Sequence, residues 1–88
     1  MFRMTESSNP AGCMILTLEG KVGAAALPEI TRQIKNGQHN QRQVALDLGE
    51  VTLLDRVAVR FLAGQLRRGV ELMNCPVYLR RWISREKS

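Results

Sequence analysis

The sequence predicts a small α/β domain: a mixed β-sheet whose N-terminal hairpin is antiparallel and whose later strands are parallel, with helices covering it. Three observations carry this. Segments such as "VALDL" (44–48) alternate apolar and other residues with the period of a half-buried strand. Between them lie stretches with apolar residues at helical spacing, Leu27, Ile30 and Ile34 in one and Val59, Leu62, Ala63 and Leu66 in another. Strands separated by helices call for parallel pairing through crossover connections. The chain has 88 residues, the length of one domain, expected to span 1–88.

Residues 1–7 can form an edge strand, and "SSNPAG" (7–12) has the composition of a turn. "CMILTLEG" (13–20) reads as a strand closed by Gly20. A helix follows within 21–37, with Pro28 in its first turn and Gly37 where a C-terminal glycine would stop it. "QHNQR" (38–42) is a polar loop. "QVALDLGEV" (43–51) is a strand with Val44, Leu46 and Leu48 on one face. Asp55 then stands at a helix N-cap, and the helix runs to about Arg68 before Gly69. "VELMNC" (70–75) is a further strand. Pro76 can start the last helix, where Leu79 pairs with Ile83 and Tyr78 with Trp82 at i,i+4 spacing, and "SREKS" (84–88) is expected to fray.

Composition narrows the function. Apolar content of 44% and charged content of 24% are ordinary for a soluble globular domain. No apolar run approaches the roughly 18 residues of a membrane span. The N-terminus carries no signal-peptide pattern, so the cytoplasm is the expected compartment. Cys13 and Cys75 fit no CxxC motif and the lone His39 lies far from both; two small buried thiols in a reducing compartment are expected, with no metal site. The net charge of +5 favours an anionic partner. Its late basic residues (Arg56, Arg60, Arg67, Arg68, Arg80, Arg81, Arg85 and Lys87) read chiefly as solvated helix faces. Binding of nucleic acid or an anionic surface through these arginines is the alternative, weakened because only Tyr78 and Trp82 could stack on bases.

Chemistry-bearing motifs are missing. Gly20 and Gly23 lead into no phosphate-binding loop, and no zinc or calcium motif occurs, so no cofactor is expected. Asp47 and Asp55 could be imagined as a carboxylate pair. One lies in a strand and the other at a helix start, with no base, nucleophile or oxyanion partner, so the sequence is not expected to encode an enzyme.

The order of segments resembles the STAS domain, the family named for sulfate transporters and anti-sigma factor antagonists. The pieces that carry the likeness are "LTLEGKV" (16–22), "VALDLGEVTLLD" (44–55), "VRFLAGQLRRGVEL" (59–72) and a last helix from Pro76. The resemblance implies a mixed sheet covered mainly on one side. It also implies binding of a protein partner, such as an anti-sigma factor or the ATPase of a lipid-transport ABC complex, for which small STAS proteins serve as accessory subunits. In anti-sigma factor antagonists a serine or threonine at the start of the second helix is phosphorylated, which ends the interaction. The family's "D-S-S-G" is here Asp55, Arg56, Val57, Ala58, so the acceptor position holds Val57 and no hydroxyl. Thr52 is the nearest hydroxyl and a poor substitute. The family's aspartate after the first core strand is replaced by Gly23.

On a helical wheel at about 100° per residue, Val59, Leu62, Ala63 and Leu66 face the core and Arg56, Arg60 and Arg67 share a flank. Val57 and Phe61 fall opposite the core beside Gly64 and Arg68, which predicts an exposed apolar spot rimmed by arginines. Apolar and Arg anchors are what protein interfaces use. The expected partner site is therefore Asp55, Arg56, Val57, Arg60 and Phe61, for a protein partner or a second copy in a homodimer.

Overall fold

The N-terminal alternation builds a hairpin. β1 (Phe2–Ser8) runs antiparallel to β2 (Met14–Val22), in a computed structural model that describes residues 1–86. The connecting turn is closed by Asn9, whose Oδ1 accepts from the backbone N–H groups of Ala11 and Cys13 at 3.1 and 2.9 Å. Gly12, at φ 87°, supplies the left-handed residue that the turn needs. β2 pairs in parallel with β3 (Val44–Leu54), and β3 with β4 (Glu71–Met73), giving the order β1-β2-β3-β4. The crossovers carry α1 (Leu27–His39), preceded by a 3-10 turn at Ala24–Ala26, and α2 (Arg56–Arg67); α3 (Val77–Arg85) follows β4. This is the mixed α/β sheet that the sequence predicts.

One sheet face makes the core. Met14, Leu16 and Leu18 of β2 and Val44, Leu46 and Leu48 of β3 are all buried. They join one apolar cluster with Ile30 and Ile34 of α1, Ala58, Val59, Leu62 and Ala63 of α2, and Leu79 and Ile83 of α3. Of the intervening residues, Thr5, Thr17, Glu19 and Asp47 are exposed or half-buried on the other face, while Ala45 is buried. The helices thus cover a single side, as period-2 alternation requires.

Several boundaries differ from the sequence expectation. β2 does not close at Gly20. It continues to Val22 through register shifts on either side of that glycine, which sits at φ 84° with the Met1 carbonyl pressed against it. An isolated glycine in a strand here marks a bulge and a close backbone approach, not a stop. β3 is longer than 43–51 and reaches Leu54, whereas β4 is only three residues long.

Gly37 does not end α1 either. It is buried inside the helix, where an added Cβ would lie 2.6 Å from Met14 Sδ and 2.8 Å from Val44 Cγ2. The glycine lets the helix touch the sheet. The stop comes at Asn40, whose Nδ2 donates to the Asn36 carbonyl at 3.0 Å. Gly69 behaves as predicted. At φ 92° it completes a Schellman closure of α2, with Gly69 N–H donating to the Leu66 carbonyl and Val70 N–H to that of Gln65. At the C-terminus, Ser84 and Arg85 remain helical instead of fraying; Lys87 and Ser88 lie outside the described residues.

The cysteines are free, and both are half-buried where burial was expected. Each sits at an element end, Cys13 entering β2 and Cys75 between β4 and α3, where the core layer is incomplete. Burial pushes the Cys75 thiol pKa up, against an opposing pull from the Arg80 charge.

Candidate functional site

The β3–α2 junction is held by one carboxylate. An α-helix begins with N–H groups that lack partners, and a short acceptor one residue before it can satisfy them. Asp55 does this: its Oδ1 accepts from Ala58 N–H at 2.8 Å. Its other oxygen, Oδ2, accepts from Ala24 N–H at 3.2 Å, at the start of the 3-10 turn after β2. The Asp55 N–H points to the Val22 carbonyl at 3.4 Å. Asp55 therefore ties the start of α2 to the end of β2.

Gly23 makes room for this arrangement. A Cβ there would lie 2.9 Å from Asp55 Oδ2. The position where the family carries a second aspartate is thus packed against the carboxylate that remains.

Val57 stands at the first turn of α2 with 52% of its surface exposed, and it has no hydroxyl. Arg56 and Arg60 are exposed on the same helix. Both reach Glu86, just beyond α3: Arg60 Nε donates to Glu86 Oε1 at 3.2 Å, and Arg56 Nε lies 3.8 Å from Oε2. Arg67 donates through Nη2 to the Glu86 carbonyl at 3.3 Å. The Glu86 side chain is only 11% exposed beneath these guanidinium groups. The expected flank of Arg56, Arg60 and Arg67 is therefore present, organised around an acid from a distant segment. No sequence spacing signals this, because Arg60 and Glu86 meet only through the packing of α3 against α2.

The expected exposure of Phe61 is corrected. Phe61 is half-buried and packs against the core cluster, while Leu66, expected in the core, is 49% exposed. The buried stripe of α2 is Ala58, Val59, Leu62, Ala63 and Gln65, rotated toward α1 from the one drawn on the wheel. The reason is the sheet edge. Leu66 overhangs the short β4 and lines a hollow of about 190 Å³ with Leu72, Cys75 and Ile83 instead of meeting a full strand. Only Val57 of the predicted apolar pair is openly exposed on this helix.

The other candidates fall elsewhere. Asp47 Oδ1 accepts from Gly49 N–H at 3.0 Å and from Asn74 Nδ2 at 3.1 Å, which closes the β3–β4 edge. It lies on the β4 side of β3, whereas Asp55 faces the β2–α1 turn, so the two carboxylates form no pair. Thr52 is exposed on β3, before the helix and outside its first turn. Among the described residues no His, Cys, Asp or Glu cluster could hold a metal ion, and no helix is long and apolar enough to cross a membrane.

A hairpin, two parallel crossovers, one-sided helices and an N-cap aspartate at the second main helix together define a STAS-type α/β fold. The STAS domain family matches residues 4–81, and the chain belongs to it. Among solved structures, one titled "Crystal Structure Analysis of Mglu" is similar over 78% of this chain at 22% identity, with a TM-score of 0.62; the shared part is 18% of that chain. At that identity the likeness shows the fold alone. No curated protein matches the sequence.

Proposed function

We propose that the chain is a non-enzymatic, single-domain module, working in the cytoplasm, that resembles an anti-sigma factor antagonist. It docks on a protein partner through the start of α2, using Val57 as the apolar contact, Arg56 and Arg60 as the charged rim and Asp55 as the residue that holds the turn. Half-buried Phe61 supports this surface from its flank. The observation that carries this is Val57: an exposed apolar side chain at the position where the family carries its phosphoacceptor. Without a hydroxyl there is no oxygen to take a phosphoryl group, so binding is not switched at that position. An exposed apolar side chain flanked by arginines fits a docking surface, because apolar and Arg anchors become buried when a partner binds.

The test uses a kinase-type anti-sigma factor as the partner. Calorimetric titration should show binding that Val57→Gln weakens at least about tenfold, a loss of about 1.4 kcal/mol. With ATP present, intact mass should show no phosphate on the natural chain and should show it on Val57→Ser. Binding indifferent to Val57→Gln removes the proposed site, and phosphate mapped to Thr52 means that the switch has moved. Binding to a transport ATPase in place of the anti-sigma factor, with the same dependence on Val57, would keep the surface and change the partner.

A further inference from the structure

The basic charge of this chain is not spread evenly. A groove of about 620 Å³ separates α1 from α2, within the size range of ligand clefts. Its α1 wall contributes Thr31 and Lys35, and its α2 wall contributes Arg60, Arg67 and Arg68, with Phe61 between them. No acidic side chain lines it. Lys35 and Arg68 are exposed and make no ion pair among the described residues.

We propose that this groove takes an acidic segment of a protein partner, with Lys35 gripping it from one wall and Arg60, Arg67 and Arg68 from the other. The inference rests on α2 being the partner-facing helix and names the chemistry that the partner brings to it.

The chain itself shows the preference. On the outer flank of the same arginine row, Glu86 already supplies a carboxylate, 3.2 Å from Arg60 and 3.8 Å from Arg56, and its carbonyl accepts from Arg67. On the groove side, Lys35 and Arg68 have no ion-pair partner among the described residues. Phe61 adds apolar surface between the charged walls, which suits a peptide alternating acidic and apolar residues. It suits nucleic acid poorly, because base stacking needs an open aromatic face and the only ring in the groove is half-buried against the core.

The experiment is fluorescence anisotropy on the full chain, with a labelled synthetic peptide of alternating glutamate and leucine. The same peptide with glutamine in place of glutamate and an oligothymidine of similar length are the comparisons. The acidic peptide should bind, and more weakly as salt rises. The double variant Lys35→Glu/Arg68→Glu should lose at least about tenfold in affinity. Glu86→Gln should gain a few-fold, because Arg60 is released from its internal carboxylate. Lys35 and Arg68 are exposed, so the double variant should fold, and a melting curve checks this; Lys35→Ala/Arg68→Ala, which adds no acid, should show a smaller loss in the same direction. Val57→Gln should leave peptide binding unchanged while it weakens partner docking, so the groove and the helix-start surface can fail separately. Equal binding of the glutamine peptide, tighter binding of the oligothymidine, or an affinity indifferent to both double variants would overturn the proposal.

Discussion

Asp55→Ala is the substitution that tests the architecture of the junction most directly. It removes two acceptors at once. The bond to Ala58 N–H, at 2.8 Å, is an N-cap, and its loss costs about 1 kcal/mol. The bond to Ala24 N–H is longer, at 3.2 Å, and exposed, so it contributes about 0.5–1 kcal/mol. The carboxylate also faces the positive end of α2, a further few tenths of a kcal/mol. The sum is about 2 kcal/mol. In a domain of this size each kcal/mol moves the melting temperature by roughly 4–8 °C, so a fall of roughly 8–16 °C is expected.

Asp55→Asn separates the two bonds. Asparagine caps a helix as well as aspartate, but its amide would point a donor at the Ala24 N–H, so about half the loss should remain. Gly23→Ala adds a third measurement. The new Cβ, 2.9 Å from Oδ2, should destabilise the natural chain and should do so less when Asp55 is already alanine, because its clash partner is gone. Thermal melts followed by circular dichroism, backed by urea titrations, provide the numbers. An Asp55→Ala protein within about 0.5 kcal/mol of the natural chain would refute the bridging role, a change of the size expected for an ordinary surface site. Asp55→Asn as damaging as Asp55→Ala would refute the division between the two oxygens.

Three further outcomes follow from the packing. Leu62→Ala, at a fully buried position in α2, should cost about 2–5 kcal/mol, and Phe61→Ala, half-buried beside it, about 2 kcal/mol; urea unfolding that left Phe61→Ala neutral would return the ring to the open surface. Gly37→Ala should destabilise by about 1 kcal/mol despite its higher helix propensity, because the β-branched Val44 cannot move away from the new methyl, and a melting temperature above that of the natural chain would contradict the close approach of α1. Cys75 should alkylate more slowly than a free thiol at neutral pH and faster as pH rises, since burial disfavours the thiolate; Arg80→Gln removes the opposing charge and should slow it further, as peptide mapping after timed iodoacetamide labelling would show.

Local chemistry determined much of this molecule before any contact was known. The alternation in 44–48 set which side of β3 is apolar, Asp55 before an apolar helix set an N-cap, and Gly69 set a Schellman stop, since each depends on residues within a turn or two. Even the missing hydroxyl at position 57 is a statement about one side chain. Tertiary packing decided the rest. Gly20 and Gly37 look like stops by composition; what they do depends on Met1 passing over one and on Met14 and Val44 lying beneath the other. Whether Leu66 or Phe61 meets the core depends on how short β4 is and how α2 turns toward α1, which a helical wheel does not contain. The arginine row acquires its carboxylate from Glu86 only because α3 packs back against α2, and the basic groove exists only because two helices distant in sequence stand side by side on one face of the sheet. Propensity and periodicity act over a few residues; the Glu86 contacts and the groove between α1 and α2 are made of residues that only long-range packing brings together.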